Sequence, residues 1–248
     1  MTETALIELD SNDIAWIVRR LPTEVRDLLV AQRGRVFVAG GFLRSCIANE
    51  PVADVDLFVD SPASAEQHIR TLLAGLSDAA WTVRTANAIT LKWQPRVQII
   101  HRWTFATPEE CIRSFDFTIA RAAVWYGEGW RGVCDPRFYC DLAAKRLIYC
   151  APEREEEAGG SLLRLLKFYQ RGYRVPLYSL GALLARVCNG VDLTSIHTES
   201  DRATAFMNVL QEVDPAFDPE HLAHLPNPDD IHLHAVVAPI LEEEEVEF

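Results

Sequence analysis

Two carboxylate side chains lie two residues apart in a segment that has the pattern of a β-strand. Asp54 and Asp56 alternate with apolar residues in the segment 54–60. Because successive side chains of a strand point to opposite faces, residues two apart share a face and lie close together. Mg²⁺ prefers oxygen ligands, commonly one or two carboxylates together with substrate phosphates and water. The spacing therefore predicts that Asp54 and Asp56 share a magnesium ion, as phosphoryl and nucleotidyl transfer require.

A glycine pair precedes the carboxylates at the junction of two elements. Gly40 and Gly41 follow the short apolar segment 35–39, and helical spacing begins directly after them, over 42–48. Backbone without a Cβ atom can approach a triphosphate closely, and the N-terminus of a helix favours anions. Arg44 lies near the start of this helix, where its planar fork would bind phosphate oxygens. A glycine pair or a D-x-D motif alone is often only a turn or a solvated face, but their order and separation predict a triphosphate site.

The elements that hold these residues alternate between strands and helices. Helical spacing runs over 14–29, and Ser61-Pro62 signals the start of a helix over 63–76. Three further segments have strand patterns and end in turn residues: 81–85, 88–93 and 97–101. The sequence therefore predicts an α/β (α+β) fold in which helices flank a mixed sheet.

An acidic run over 153–157, followed by Gly159-Gly160, marks the best internal boundary. The segments after it have helical or loop patterns. We therefore predict three regions, which are a catalytic domain over 1–150, a smaller helical domain over 151–240 and an acidic tail over 241–248.

The glycine and aspartate motifs resemble the G-G-x-x-R and D-x-D signature of the DNA polymerase beta nucleotidyltransferase superfamily, in particular bacterial CCA-adding enzymes and poly(A) polymerases. Three later segments resemble motifs of the same family in the same order, and they are Asp116 to Ile119, Cys134 to Leu147, and Leu163 to Phe168. The resemblance covers residues 35–175 and implies a nucleotidyltransferase head followed by a neck-like helical domain.

The resemblance also implies roles for individual residues. Asp54 and Asp56 would hold Mg²⁺ as catalytic carboxylates. The nucleotide would be bound by residues of both domains, namely Gly40, Gly41, Arg44, Arg164 and Lys167. An acceptor hydroxyl would attack the α-phosphate of a nucleoside triphosphate and release pyrophosphate.

Many superfamily members carry a third carboxylate on a neighbouring strand, where this chain offers Gln98. Asp116 is the nearest remaining candidate for a third catalytic carboxylate. The alternative for Asp116 is structural, because it could cap a helix or pair with Arg113 or Arg121.

Several positions depart from the family pattern. Ser114, Phe115 and Ala120 stand where the family has two arginines and an asparagine for ribose recognition. Gly160 and Ser161 replace the acidic residues of the motif that selects the incoming base. The departures argue against templating of C, C and A by amino-acid side chains.

The net charge of −12 restricts the partners, because affinity for nucleic acid comes largely from Lys and Arg at phosphates. The charge argues against a long nucleic-acid footprint, whereas the local basic group from Arg164 to Arg174 permits a short contact with RNA. By resemblance, the favoured acceptor is the 3′ end of an RNA such as tRNA. Two alternatives remain, a catalytically reduced regulatory protein that binds nucleotides and a transferase that modifies a protein or small-molecule hydroxyl.

The sequence also bears on location. No apolar stretch is long enough to cross a bilayer, and the first residues lack the pattern of a signal peptide. We expect a cytoplasmic protein without a membrane partner; no sequence feature indicates an oligomeric state.

Overall fold

The computed structural model describes residues 5–76, 81–92, 95–151, 158–192, 194 and 196–211. The chain forms two compact units, 1–152 and 153–248. The acidic run 153–157 and the predicted acidic tail 241–248 lie outside the described residues.

The first unit contains a mixed sheet of eight strands in the order β1-β8-β7-β2-β3-β6-β5-β4. Its strands are β1 (Ile7–Glu8), β2 (Val36–Ala39), β3 (Asp54–Val59), β4 (Trp81–Arg84), β5 (Ala88–Lys92), β6 (Arg96–Ile100), β7 (Ala122–Tyr126) and β8 (Trp130–Cys134). The helices are α1 (Ser11–Arg20), α2 (Thr23–Gln32), α3 (Gly41–Ala48), α4 (Pro62–Ala74), α5 (Pro108–Arg113) and α6 (Phe138–Ala143), with a 3₁₀ turn at Thr118–Ala120. The predicted α/β fold with a mixed sheet flanked by helices is confirmed.

One face of β3 carries both the carboxylates and part of an aromatic cluster. Asp54, Asp56 and Phe58 share this face because they are spaced by two. The Phe58 ring stacks on Phe37 at a centroid distance of 5.9 Å and meets the Phe115 ring at 5.6 Å. Buried residues of α5 join the same cluster. The cluster covers the sheet at Phe58 and leaves the start of β3 to the carboxylates.

The opposite face of the sheet is an apolar core. Its strand residues are almost wholly buried and include Val55, Leu57, Ile89, Leu91, Val97 and Ile99. Helix α4 lies on this side, where Glu66 of α4 accepts two hydrogen bonds of 3.1 Å from Arg84 of β4. The alternation along β3, β5 and β6 therefore separates an apolar face from a polar one.

Strand β8 is not among the strand segments predicted from the sequence, and it contains a glycine, which weakens the pattern of a strand. Gly132 lies within β8, and a Cβ atom there would stand 2.8 Å from the Leu9 side chain and 3.1 Å from the Ala123 carbonyl oxygen. Close approach of neighbouring chain segments therefore requires glycine at this strand position.

The second unit is helical where it is described. It contains α7 (Ala158–Gln170), α8 (Leu177–Asn189) and α9 (Glu199–Gln211). Phe168 and Tyr173 pack ring against ring at 5.4 Å, and Leu165 and Leu183 are buried with them in this unit. No helix among the described residues is long and apolar enough to cross a membrane.

A buried carboxylate ties α6 to the segments on either side of it. Asp141 is fully buried and accepts hydrogen bonds from Thr118 at 2.8 Å, from Arg137 at 3.1 and 3.2 Å, and from Arg146 at 2.8 Å. Burial alone would raise the pKa of Asp141, but the donors from Arg137, Thr118 and Arg146 hold it below its usual range. The segment around Asp141, singled out by its resemblance to a family motif, therefore has a structural role in this chain.

We expect Asp141→Asn to lower the free energy of unfolding by about 3 kcal/mol at neutral pH, because it leaves buried donors without their charged acceptor. A carboxyl whose folded pKa is depressed stabilises the fold above its unfolded pKa, and this contribution is lost as the pH falls through the folded pKa. The difference from wild type should therefore shrink below about pH 4. Urea denaturation at several pH values measures it, with the exposed Asp27→Asn as control. Equal stabilities at neutral pH would contradict the assignment.

Candidate functional site

The glycine turn and the carboxylate pair meet at one end of the sheet. Strands β2 and β3 are antiparallel, and Val38 is the register partner of Leu57. The end of β2, which leads into Gly40, therefore lies beside the start of β3, which carries Asp54 and Asp56. The two predicted parts of the site are adjacent in space.

Gly40 has a backbone conformation that only glycine adopts without strain. Its φ of 82° and ψ of −128° lie outside the regions open to residues with a Cβ atom. The Gly40 amide donates to the Ala122 carbonyl oxygen at 3.0 Å, which anchors the turn to β7. The Phe115 ring lies 3.5 Å from where a Cβ atom of residue 40 would be. Phe115 thus packs under the turn as an apolar side chain. It stands at a position where the nucleotidyltransferase motif that this sequence resembles has an arginine.

Helix α3 begins at Gly41 with no side chain capping its N-terminus. Helices α1, α4 and α5 are capped by the side chains of Asp10, Ser61 and Thr107, whereas α2, α6 and α8 lack a side-chain cap, as α3 does. Uncapped amides at a helix N-terminus carry a partial positive charge and bind anions such as phosphate. The start of α3 can therefore accept the phosphate of a ligand held beside the carboxylates.

Arg44 is buried rather than exposed to a ligand. Its side chain is 8% exposed, donates to Ser45 Oγ at 3.1 Å and places Nε 3.8 Å from a carboxylate oxygen of Glu50. Its charge also lowers the pKa of Asp56. The guanidinium therefore provides a fixed positive charge near the pair, and its role as a phosphate ligand stays a prediction.

The positive charge of Arg44 does not fully neutralise the two carboxylates Asp54 and Asp56. Burial, followed by the charge of Asp54, raises the pKa of Asp56 to about 8, and Arg44 offsets this only in part. Two neighbouring carboxylates that repel each other favour the binding of either a shared proton or a cation. The donor set fits a divalent cation such as Mg²⁺, which would take the place of the proton. No group of three or more His, Cys, Asp and Glu side chains in the described part of the chain is arranged to hold a metal.

The neighbouring strand supplies uncharged and cationic residues instead of a third carboxylate. In the parallel pairing of β3 with β6, Gln98 is the register partner of Asp56 and Arg96 that of Asp54. Register partners point to the same face of the sheet. Gln98 therefore lies beside the pair, where the sequence comparison sought a third acid.

Asp116 lies just before the 3₁₀ turn and is 6% exposed. Its backbone oxygen accepts from the Cys150 amide at 2.8 Å. Arg121, one proposed partner of Asp116, approaches Asp135 at 3.6 Å and donates to the Phe115 carbonyl oxygen at 2.9 Å. A catalytic role for Asp116 stays a prediction.

Arg164 and Lys167 lie on α7 in the second compact unit. Lys167 is exposed and Arg164 is half-buried. Their assignment to nucleotide binding stays a prediction.

A sequence model described as Gabija anti-defense 2 (Gad2) family protein matches residues 8–145, more than half of the chain. No curated protein matches the sequence.

The structure is similar to solved CCA-adding enzymes. A Thermotoga maritima CCA-adding enzyme complexed with tRNA aligns over 86% of this chain and 58% of its own, with 18% identity and a TM-score of 0.54. CCA-adding enzymes in complex with CTP and with ATP align over 98% and 97% of this chain, covering 63% and 68% of their own lengths, at 18% and 16% identity and TM-scores of 0.54 and 0.55. The chain thus spans about three fifths of the first two enzymes. At this identity the similarity establishes the nucleotidyltransferase fold.

We expect Gly40→Ala to destabilise the first unit by about 2 kcal/mol, because alanine cannot relax into the backbone conformation of this turn. Gly41→Ala is the matched control, since Gly41 has no positive φ and a Cβ atom there would find its nearest neighbour 3.8 Å away. Urea unfolding midpoints measure both. Equal midpoints for the two variants would argue against the strained turn.

The stability of the protein should depend on pH through Asp56. The folded pKa of Asp56, about 8, lies far above its ordinary value of 3.8. The folded state therefore binds a proton more readily than the unfolded state, and wild-type stability should fall as the pH rises from about 4 to about 8. In EDTA, Asp56→Asn should unfold at higher urea than wild type at pH about 8, and the gap should close toward pH 4.

Mg²⁺ should stabilise wild type at the upper end of this range and have a smaller effect on Asp56→Asn. Asp27→Asn, on the exposed side of α2, controls for general charge effects. A pH-independent difference between wild type and Asp56→Asn would refute the shifted pKa.

Proposed function

The chain belongs to the Gad2 family and has the nucleotidyltransferase fold, and from these premises we propose that it is a Mg²⁺-dependent nucleotidyltransferase. It transfers a nucleoside monophosphate from a nucleoside triphosphate to an acceptor hydroxyl. The observation that carries this proposal is the placement of Asp54 and Asp56 on one face of β3, beside the Gly40 turn and the uncapped start of α3.

The residues of the chain divide the work of the reaction. Asp54 and Asp56 hold Mg²⁺, which when bound neutralises phosphate charge and favours the ionised form of the attacking hydroxyl. The amides at the start of α3 bind the triphosphate, and the fixed Gly40 turn lets the backbone approach it. The acceptor oxygen forms a bond to the α-phosphorus, pyrophosphate leaves, and the hydroxyl proton passes to solvent. Positioning and charge neutralisation supply the rate, so no protein nucleophile is required.

The favoured acceptor is the 3′ hydroxyl of an RNA, with tRNA as the first candidate. The similarity to a CCA-adding enzyme solved with tRNA supports this acceptor. At Ser114, Ala120 and Gly160 the chain lacks the residues by which CCA-adding enzymes select ribose and base. The choice of nucleotide therefore has to depend on other contacts.

A second candidate acceptor is a hydroxyl on a protein. The name of the family describes an action against Gabija defence, and a component of such a system would be a protein target. The net charge of −12 favours this class over a long nucleic acid. A third candidate is a regulatory protein that binds nucleotide without transfer, for which the same losses at Ser114 and Ala120 argue.

The test is to incubate the protein with each α-labelled nucleoside triphosphate and Mg²⁺, with total RNA, purified tRNA or cell extract as acceptor. We expect label on RNA, and we expect Asp54→Asn and Asp56→Asn each to reduce the rate on the order of 100-fold or more, as loss of other charge-stabilising groups does. Asp60→Asn is the matched control, because the Asp60 side chain accepts a hydrogen bond from Ser64 at the start of α4.

The possible outcomes separate the candidates. Label on a protein that depends on Asp54 and Asp56 supports the second acceptor class. Nucleotide binding without transfer to any acceptor refutes catalysis and leaves the regulatory role. Transfer that survives Asp54→Asn and Asp56→Asn would mean that the chemistry lies elsewhere.

A further inference from the structure

A row of side chains extends from Asp54 across the edge of the sheet. Arg96 of β6 is the register partner of Asp54, and Trp81 of β4 is the register partner of Lys92 on β5. Because Leu91 pairs with Val97 in the antiparallel β5 and β6, the next pair in this register is Lys92 with Arg96. Asp54, Arg96, Lys92 and Trp81 therefore lie side by side on one face of the sheet.

The two cations of this row are available to a ligand. Arg96 is exposed and Lys92 is half-buried, and neither forms an ion pair with a residue that the structure describes. Arg84 lies at the other end of β4 from Trp81 and pairs with Glu66 on the opposite face of the sheet. Both cations are therefore open to an anionic ligand.

An aromatic ring ends the row. Trp81 is 57% exposed, and the Lys92 ammonium lies 5.9 Å from the centroid of its ring. A tryptophan this exposed gains less from burial than one in the core, and it offers a flat π surface to a planar ligand. Cations followed by an exposed aromatic ring are the combination that binds single-stranded nucleic acid, since the cations contact phosphates and the ring stacks on a base.

The row lies on the far side of Asp54 from the phosphate-binding turn. Strand β3 separates β2, which leads into Gly40, from β6, β5 and β4. With neighbouring strands about 4.8 Å apart, the three steps from Asp54 to Trp81 span about 14 Å. The donor triphosphate and a ligand on the row can therefore approach the carboxylates from opposite sides.

We propose that Arg96, Lys92 and Trp81 form the acceptor-binding strip, which holds the end of a single-stranded nucleic acid with its terminal hydroxyl toward Asp54 and Asp56. This inference rests on the proposed function for the direction of the strand. Arg96 and Lys92 contact backbone phosphates, and Trp81 stacks on a base. The strip is short, so it suits a terminal segment of a few nucleotides and agrees with the acidic character of the whole chain.

The binding test uses the full chain and a fluorescein-labelled single-stranded RNA dodecamer with a free 3′ hydroxyl, measured by fluorescence anisotropy between about 50 and 200 mM salt. Arg96→Gln and Lys92→Gln should each weaken binding several-fold and reduce the slope of log affinity against log salt by about 0.7. Trp81→Ala should weaken binding about tenfold, whereas Trp81→Phe should retain most of it. A DNA dodecamer of the same sequence shows whether the strip distinguishes the two sugars.

The control for lost charge is Arg70→Gln, because Arg70 is exposed on α4, which packs on the opposite face. Binding of a fluorescent nucleoside triphosphate to the same variants separates acceptor from donor. Dodecamer binding that is weakened by the strip variants with nucleotide binding unchanged supports the proposal. Asp56→Asn should bind the dodecamer as wild type does although its transfer rate is reduced on the order of 100-fold or more, so failure of the proposed chemistry can be told apart from failure of the strip.

Three results would overturn the proposal. They are an absence of dodecamer binding at the lower salt concentration, equal binding by wild type and all strip variants, and strip variants that lose nucleotide binding instead. Transfer of label to a protein that depends on Arg96 and Trp81 would also overturn it, because the strip would then serve a protein acceptor.

Discussion

The repulsion between two carboxylates on one face of β3 explains much of what surrounds them. Asp54 and Asp56 are brought together by the period of the strand, and their partial burial weakens the screening of their charges by water. The buried guanidinium of Arg44 lies near the pair, and it contacts Ser45 and Glu50. A single fixed positive charge offsets the repulsion only in part, and the remaining repulsion favours the binding of a further cation. The chemistry that we propose uses this affinity.

The sheet gives each part of the site a different mechanical setting. The carboxylates and the glycine turn lie on β3 and at the end of β2, which are central strands whose backbones are paired on both sides. The aromatic cluster around Phe58 and α5 covers one half of the polar face, and the other half carries the polar and charged side chains of β6 and β5. The groups that would perform the chemistry are thus on the most constrained strands of the unit.

The sequence predicted the parts of the site that depend on local spacing. The period of two identified Asp54 and Asp56, and the glycine pair identified the turn, because both signals lie within one element or one junction. The fold class followed from the alternation of strands and helices. Strand β8 was not predicted because a glycine weakens the pattern of a strand, and the close contact that explains Gly132 involves Leu9, more than a hundred residues away.

Features that depend on contacts between segments were not predictable in the same way. The burial of Arg44 requires Glu50 and the fold of α3, whereas the sequence alone favoured a phosphate ligand. Phe115 had the appearance of a lost arginine, but it packs under Gly40 and against Phe58. The row from Arg96 to Trp81 exists only through the register of four strands, and no periodicity along the chain brings these residues together.

The position of β4 and β5 at the edge of the sheet has a consequence for how this fold can diversify. An edge hairpin is paired along one side only, so substitutions in it disturb few other contacts and are readily tolerated during evolution. Changes at Trp81 or Lys92 would alter what the protein recognises without moving β3 or the turn at Gly40. Related chains could in this way share one catalytic centre and yet act on different targets. The sequence differences that change the target would then lie in the hairpin.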